Sequence, residues 1–382
     1  MNDDYSDWLQ LTNTPGLGAA AQRSLLAAFG LPHQILAASA ADLAAVVGSD
    51  KARLLQRAPD AERIARTRAW LAEDDDNHIV TLADASYPPA LLELPDPPVL
   101  LYVKGTPDCL ARPSLAIVGA RSATQAGSAN AEAFATNLAE AGLCVVSGLA
   151  AGIDAAAHRG ALKATGGATI AVIGTGADRV YPARNKSLAH QIVAHGAIVS
   201  EYPLGTPPLP HNFPRRNRII AGLARGVLVV EAAVGSGSLI TAQLAGESGR
   251  EVFAIPGSIH SPLSRGCHLL IRNGAKLVET AADVLEELRW PVTAMPGAAA
   301  DARSATRASG APPAPAAPLP EADPTLDAEA RQVLTALGHD PLDVDTLAQR
   351  SGLTVDALYA ILLPLELAGN IARLPGGRFQ RL

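Results

Sequence analysis

The feature that most constrains the fold is a series of six short apolar runs that alternate with helix-like segments between about residues 113 and 290. The runs are Leu115–Val118, Cys144–Val146, Thr169–Ile173, Ile198–Ser200, Val227–Val230 and Val252–Ile255. They are apolar throughout rather than at every second residue, which is typical of strands covered by helices on both faces. One helix between successive strands implies parallel neighbours. The pattern therefore predicts an α/β fold with a doubly wound, mostly parallel sheet.

A proline-rich stretch divides the chain. Residues 291–325 hold eight prolines, mostly interleaved with alanine, and few large apolar side chains, so we interpret the stretch as a linker. The 382 residues, 48% of them apolar, are more than one core usually fills. We predict three domains: a helical one over 1–75, the sheet domain over 76–290 and a small α-rich one over 326–382.

Glycine turns mark the N-terminal segment. Leu11 leads to Pro15, Gly16 and Gly18, and a second helix begins near Gln22; a weaker copy of this pattern surrounds Gly48. In helix-hairpin-helix modules such glycines leave amides free to meet a phosphate. A plain helical turn that only packs the domain explains the same residues, so both interpretations stay open.

The C-terminal segment has the pattern of a winged helix. Helices are predicted over 327–337, 343–350 and 354–368, and residues 370–379 resemble a short hairpin. In such a domain the third helix enters a DNA major groove. Residues 326–382 carry seven carboxylates and five arginines, and the third helix has no cation, so duplex affinity should be weak. A contact with protein and a contact with DNA both remain possible uses.

The cysteines and the overall charge limit the class of protein. Cys109, Cys144 and Cys267 lie far apart, which argues against disulfides and a thiolate zinc site and favours the reduced cytoplasm. The first residues lack a signal-peptide pattern, and no apolar run reaches the ~18 residues that a membrane helix needs. A net charge of −6 argues against a protein that is basic all over. We expect a cytoplasmic protein without a metal ion or a membrane contact.

Glycine and serine follow nearly every predicted strand. The segments begin at Gly119, Ser147, Gly174, Gly235 and Pro256. The carboxyl ends of parallel strands meet at one edge, where ligands bind, and glycine-rich backbone can approach a ligand closely. No dinucleotide G-x-G-x-x-G follows the first strand, and the P-loop, H-E-x-x-H and G-x-S-x-G motifs are absent. The sequence thus predicts a shared site of another kind.

An arginine cluster beside an aromatic ring points to nucleic acid. Phe213 is followed by Arg215, Arg216, Asn217 and Arg218, and residues 205–275 hold seven arginines against three glutamates. Arginine forks suit phosphates and an aromatic ring stacks on a base, the combination used for single strands. We also expect one or two of these arginines to pair inside the fold with a glutamate, Glu201 or Glu231.

One carboxylate and one histidine offer an alternative chemistry. Asp154 and His158 lie four residues apart on one helix face, as a base and its orienting group would. A helix-terminal carboxylate beside a packing histidine is the commoner origin of such a pair.

These residues in this order resemble the DNA-processing protein A family, also called DprA or Smf. The resemblance covers about 87–290 and rests on motifs at the family's spacing. They include V-G-A-R at 118–121, S-G-L-A-x-G-I-D at 147–154, Y-P-x-x-N at 181–185, F-P-x-R-N-R at 213–218 and S-G-S-L-I-T-A at 236–242. Two positions depart from the pattern. His268 stands where many members have asparagine, and 210–212 supply no permanent cation where some members carry lysine.

The resemblance implies an extended Rossmann-like domain with an N-terminal sterile-alpha-motif-like or helix-hairpin-helix domain and a C-terminal winged-helix domain. It also implies a homodimer, binding of single-stranded DNA in natural transformation, displacement of single-strand-binding protein and loading of a RecA-type recombinase, without an enzymatic activity or a cofactor. Carried over to this chain and combined with the loops, it predicts a pocket formed by Gly119, Arg121, Ser122, Ser147, Gly148, Ala150, Gly152, Asp154, Phe213, Arg215, Arg216, Asn217, Arg218, Ser236, Gly237 and Ser238.

Two other classes of function compete with this prediction. Rossmann-like nucleotide phosphoribohydrolases share the layout, with Glu231 and Asp154 as possible acid–base groups, but their signature P-G-G-x-G-T-x-x-E is absent here. A scaffold protein whose glycine loops only pack is the third class.

Overall fold

The computed structural model describes residues 5–57, 59–291, 328–338, 342–374 and 376–381. The chain forms two compact units, one up to residue 293 and one from residue 294 onward. Apart from Pro291, the predicted linker over 291–325 lies outside the described residues.

The first unit is built on a nine-stranded sheet. Its strands are β1 (Asn77–Thr81), β2 (Leu100–Gly105), β3 (Ser114–Val118), β4 (Cys144–Ser147), β5 (Thr169–Val172), β6 (Ala197–Ser200), β7 (Gly226–Val229), β8 (Glu251–Ala254) and β9 (Lys276–Leu277). Their order is β1-β2-β6-β5-β4-β3-β7-β8-β9. The seven strands from β6 to β9 in this order are parallel, and β2 is antiparallel to both of its neighbours, β1 and β6. The predicted sheet and its six strands are confirmed, whereas the sequence did not predict β1, β2 and β9.

Helices cover both faces of this sheet. They are α7 (Pro89–Leu92), α8 (Gln125–Glu140), α9 (Ile153–Lys163), α10 (Lys186–His195), α11 (Asn212–Leu223), α12 (Gly237–Glu247), α13 (Arg265–Arg272) and α14 (Ala281–Glu287). In β3, Leu115 and Ile117 pack with α8, α9 and α14, whereas Ala116 and Val118 pack with α11 and α12. Alternate side chains thus enter different cores, which is why the strands are apolar at every position.

The sheet has a switch point between β3 and β7. From β3 the chain proceeds to β4, β5 and β6 on one side, and it then returns through α11 to place β7 on the other side. The loops that follow β3 and β7 therefore diverge and leave a crevice at the carboxyl edge.

The N-terminal segment is helical, as predicted. Its helices are α1 (Ser6–Asn13), α2 (Ala19–Phe29), α3 (Pro32–Ala37), α4 (Ala40–Val47), α5 (Ser49–Leu55) and α6 (Ala61–Glu73). Leu9 and Trp70 share a core with Ile79 and Tyr102 of the antiparallel strands, and the Trp70 and Tyr102 ring centroids are 6.1 Å apart. The segment therefore packs on the β1 edge within one unit, and its separation as a domain over 1–75 stays a prediction.

The second unit has the elements of a winged helix. They are α15 (Ala328–Leu337), β10 (Leu342–Asp343), α16 (Val344–Ser351), α17 (Val355–Leu367), β11 (Ile371–Leu374) and β12 (Arg378–Arg381). The strands form a sheet in the order β10-β12-β11, and leucines of all three helices meet in one core. The predicted helices and wing are confirmed.

Neither a membrane-spanning helix nor a metal site was expected from the sequence. Within the described residues, no helix is long and apolar enough to cross a membrane. In the same part of the chain, no group of three or more His, Cys, Asp and Glu side chains is arranged to hold a metal ion.

Close packing of α8 on α9 requires glycine at position 160. A Cβ atom there would lie 2.2 Å from the Glu132 carbonyl oxygen. We expect Gly160→Ala to destabilise the chain by roughly 1–3 kcal/mol, because overpacking forces the helices apart. The measurement is the urea midpoint by circular dichroism. Gly246→Ala in α12, where a Cβ meets no atom within 4 Å, is the matched control and should be stabilising by roughly 0.5–1 kcal/mol. Equal effects of both changes would contradict this packing argument.

Candidate functional site

A cavity of about 330 Å³ opens at the switch point. We call it the switch-point cavity. Its walls come from the loops after β3, β4 and β7, from the first turns of α11 and from the start of α12. Ten predicted site residues line it: Gly119, Arg121, Ala150, Asp154, Phe213, Arg216, Asn217, Ser236, Gly237 and Ser238. An adjoining cavity of about 160 Å³ shares Arg121, Ala150, Phe213 and Arg216 and adds the predicted residues Ser122 and Gly148.

Two predicted residues shape the loop after β4 and line neither cavity. The buried Ser147 hydroxyl donates a hydrogen bond to the Ile117 carbonyl, 2.7 Å away, and so ties β4 to β3. Gly152 has a φ of +75°, and a Cβ atom there would lie 2.3 Å from the Ala120 carbonyl oxygen. Their contribution to the site is the course of the backbone.

Two predicted arginines point away from the switch-point cavity. Arg218 pairs with Asp96 at 3.1 Å and with Glu201. Arg215 lines a separate cavity of about 140 Å³ near Tyr102. On a helix with 3.6 residues per turn, positions 213, 216 and 217 share one side, and positions 215 and 218 fall on another. Neither arginine lines the switch-point cavity, as this helical periodicity explains, so their contact with single-stranded DNA stays a prediction that this cavity does not support. The expected internal pairing with Glu201 is present.

Arg216 is the buried cation of the site. Its guanidinium donates to the Gly148 carbonyl at 2.8 Å and to the Val172 carbonyl. Burial lowers the pKa of Arg216 to about 10, while the neighbouring Asp154 carboxylate opposes that fall. Arg216 is therefore charged at neutral pH and joins α11 to the ends of β4 and β5.

Asp154 and His158 do not act together. Asp154 is buried and accepts from the Gly148 and Ala150 amides at 3.1 and 3.3 Å. Burial raises the pKa of this carboxyl, and Arg216 opposes the rise. The His158 Nδ1 lies 2.7 Å from the Thr169 hydroxyl instead. The histidine is a packing residue, and the carboxylate holds the loop after β4.

Glu231, like Asp154, holds a loop of the site in place. Its carboxylate accepts from the Thr124 amide at 2.9 Å and from the Thr124 hydroxyl at 2.6 Å. Its carbonyl accepts from the Ala120 amide at 2.7 Å. Glu231 thereby fixes the loop after β3, including the backbone beside Arg121, and it pairs with none of the arginines of the cluster in the described part of the chain.

The accessible groups of the site include two exposed arginines, Arg121 and Arg184, and two aromatic rings, and Arg184 lines the adjoining cavity. The Arg121 guanidinium carbon lies 5.6 Å from the Phe213 ring centroid. The half-exposed Tyr181 ring lies 5.7 Å from it on centroids. Arg121 is exposed and forms no ion pair with any described residue. On the sequence alone, Tyr181 was part of a motif but not of the predicted site. Its position could have indicated a place in the site, because it is an aromatic residue in the loop that follows β5, at the same sheet edge.

The start of α12 adds anion-binding backbone. Ser236 caps this helix and its hydroxyl accepts from the Ser238 amide at 3.4 Å. The Asn217 side chain donates to the Gly237 carbonyl at 3.2 Å, so α11 holds the cap in place. Amides at a helix N-terminus attract anions. Across the two adjoining cavities, the site thus combines helix-terminal amides, two exposed arginines and the rings of Phe213 and Tyr181.

The fold and the site define a Rossmann-like protein with a cationic, aromatic cavity at its switch point and a winged-helix unit after it. The chain belongs to the DNA recombination-mediator protein A family, whose model matches residues 78–289. A DprA winged helix domain matches residues 312–377.

Known relatives support this membership. Protein Smf of Escherichia coli is 42% identical over 315 residues, which cover 82% of this chain and 80% of the relative. The DNA processing protein DprA of Streptococcus pneumoniae is 52% identical over 210 residues, 55% of this chain and 74% of that protein.

Two solved structures are similar. The S. pneumoniae DprA structure has a TM-score of 0.64 at 43% identity and covers 72% of this chain and 95% of its own. The Helicobacter pylori DNA processing protein A structure has a TM-score of 0.51 at 30% identity and covers 56% of this chain and 96% of its own. The latter is described for a unique mode of binding single-stranded DNA.

The packing role of His158 predicts a pH dependence of stability. Burial lowers the pKa of His158 to about 3, against about 6.5 in an unfolded chain. Between these values only the unfolded chain binds the proton, so stability falls as the pH drops below about 6.5. We expect about 2 kcal/mol of this loss between pH 7 and pH 5. Urea unfolding at both pH values measures it. His158→Gln should remove that part of the loss, and an unchanged loss in the variant would contradict the assignment.

Proposed function

We propose that the chain binds single-stranded DNA, without sequence preference, in the switch-point cavity. The observation that carries the proposal is the position of Phe213 at this cavity, with Arg121 over its ring at 5.6 Å and Tyr181 at 5.7 Å. Aromatic faces and cations in one groove are the combination used by proteins that hold single strands.

Each group has a distinct part in the proposed complex. Phe213 stacks on a base, and Tyr181 extends the aromatic surface in the adjoining cavity. Arg121 and the amides at the start of α12 hold phosphates. Stacking tolerates every base, because every base has a π-face. Two buried polar residues that line the cavity, Arg216 and Asp154, bond to loop backbone and hold its walls.

The cavity also favours single strands over duplex. A base must leave its stack to reach a ring inside a compartment of about 330 Å³. In duplex DNA that step costs a few kcal/mol, whereas a single strand presents its bases freely. Family membership supports the same ligand, and so does the similarity to the H. pylori DNA processing protein A structure, which is described for binding single-stranded DNA.

The wider role that we propose is in natural transformation. The chain would protect incoming single strands in the cytoplasm, displace single-strand-binding protein and load a RecA-type recombinase, as a homodimer. The family's description as a recombination mediator and its DNA-processing relatives support this role.

A binding role fits the site better than an enzymatic one. Glu231 and Asp154 were the carboxylates available for acid–base chemistry, and both accept hydrogen bonds from loop amides. His158 is buried against Thr169. These groups stabilise the walls of the cavity.

Removing the stacking ring or the Arg121 cation should weaken DNA binding. We expect Phe213→Ala to raise the Kd for a fluorescent oligothymidine roughly 5- to 150-fold, because base stacking contributes about 1–3 kcal/mol. Arg121→Ala should raise it by a similar factor through the loss of a charge-assisted phosphate contact. Fluorescence anisotropy at fixed salt gives both values.

The controls separate this site from general electrostatics. Arg112→Ala removes an arginine from the residues just before β3, at the opposite sheet edge, and should leave the Kd unchanged. Arg121→Ala should also reduce the salt slope by about 0.7 for one lost phosphate contact. An unchanged Kd in both the Phe213 and the Arg121 variants would overturn the pocket assignment.

The proposed loading activity depends on the same cavity. On single strands coated with single-strand-binding protein, the wild-type chain should shorten the lag before a RecA-type recombinase begins ATP hydrolysis. Phe213→Ala should lose this effect at concentrations where its DNA binding is lost. A variant that no longer binds DNA but stimulates the recombinase as well as wild type would refute the link between the cavity and loading.

A further inference from the structure

The third helix of the winged-helix unit exposes an apolar stripe. Val355, Tyr359, Leu363 and Leu367 of α17 recur at every fourth position, with exposed fractions of 38, 47, 60 and 82%. An adjoining side of the same helix packs in the core through Leu358, Leu362 and Leu365. Within the stripe, the Tyr359 ring meets the Phe379 ring of the core edge-on, with centroids 6.4 Å apart, yet it stays 47% exposed. The helix is therefore apolar on two adjoining sides, and the second remains largely exposed.

The exposed side carries charge at its two ends. With 100° between successive residues, Asp356 and Glu366 fall within the arc of the stripe, near its first and last turns. The stripe is thus an apolar surface with a carboxylate at each end, and α17 has no lysine or arginine.

This surface does not suit duplex DNA. A winged helix that reads the major groove places polar and cationic side chains of its third helix against phosphates and base edges. Here the exposed side offers three aliphatic side chains, one tyrosine and two carboxylates, and phosphate attraction dominates duplex affinity.

A second copy of the same helix is also a poor occupant. In an antiparallel pair, position 355 lies opposite 367 and position 359 opposite 363, which places Asp356 of one copy opposite Glu366 of the other. A parallel pair sets each carboxylate against its own counterpart. Both arrangements bring like charges together beside a desolvated contact, which costs binding energy.

Proline within the helix adds an acceptor to this side. Pro364 has no N–H, so the carbonyl of the exposed Ala360 has no helical donor four residues on. A donor from a partner would satisfy it.

We propose that the exposed side of α17 docks an amphipathic helix of another protein, one whose apolar stripe is flanked by lysine or arginine. Apolar side chains four residues apart lie along one side of a helix, and such apolar sides are what amphipathic helices recognise. The two carboxylates select basic flanks and set the orientation of the partner. This docking site is independent of DNA binding by the switch-point cavity.

The test uses the full chain and two designed helical peptides as probes. Both peptides repeat leucine at every fourth residue; one carries lysine on the flanks and the other glutamate. Fluorescence anisotropy should show about tenfold tighter binding of the lysine peptide. Leu363→Gln with Leu367→Gln should abolish the binding. Asp356→Asn with Glu366→Gln should retain apolar binding but lose the preference between the peptides.

Matched controls keep the result interpretable. Leu92→Gln removes a leucine of α7 with a similar exposed fraction, 55%, and should leave peptide binding intact. Circular dichroism of each variant reports folding. Equal binding of both peptides would overturn the proposed partner chemistry. A lower oligomeric state of the Leu363 and Leu367 variant in sedimentation would assign the surface to a second copy, and lost duplex binding in that variant would assign it to DNA.

Discussion

The site depends on the hydrogen bonds that the buried guanidinium of Arg216 donates to backbone carbonyls. It bonds to carbonyls at the ends of β4 and β5 beside the Asp154 carboxylate, and it thereby fixes the first turns of α11. Phe213 lies on the same side of that helix and takes its position from this anchor. A buried cation is costly to desolvate, so removing one partner leaves the other uncompensated. The aromatic wall of the cavity thus depends on a buried charge that two backbone carbonyls hold in place.

The charged residues of the site divide into those that are bonded inside the protein and those that are exposed. Arg216, Arg218, Asp154 and Glu231 are bonded inside the protein, whereas Arg121 is exposed and without an ion pair among the described residues. The positive charge counted along residues 205–275 therefore overstates the charge that can meet a ligand. Much of the arginine cluster serves the architecture of the carboxyl edge.

The central strands were predictable because burial on both faces makes each of them apolar throughout. The two edge strands were not predictable, because neither forms a continuous apolar run. The β1 strand contains Asn77 and His78, and β9 has only two residues, both with exposed side chains. The loops of the site were predictable because topology alone brings strand ends together. The helical periodicity of residues 212–223 could have predicted that Phe213 faces a different side from Arg215 and Arg218. The distance from Tyr181 to Phe213 could not be predicted, because it depends on loop conformation, which no local pattern encodes.

The size of the switch-point cavity has a consequence for long ligands. Under the proposed function, one compartment of about 330 Å³ would hold a strand at one place, so a single chain would gain little from a strand longer than the compartment admits. Affinity for a long strand would then grow with the number of linked or adjacent chains, because each further contact forms at a high effective concentration. Binding to a long strand would then be a property of several chains together, and one chain could release its nucleotides while its neighbours still hold theirs.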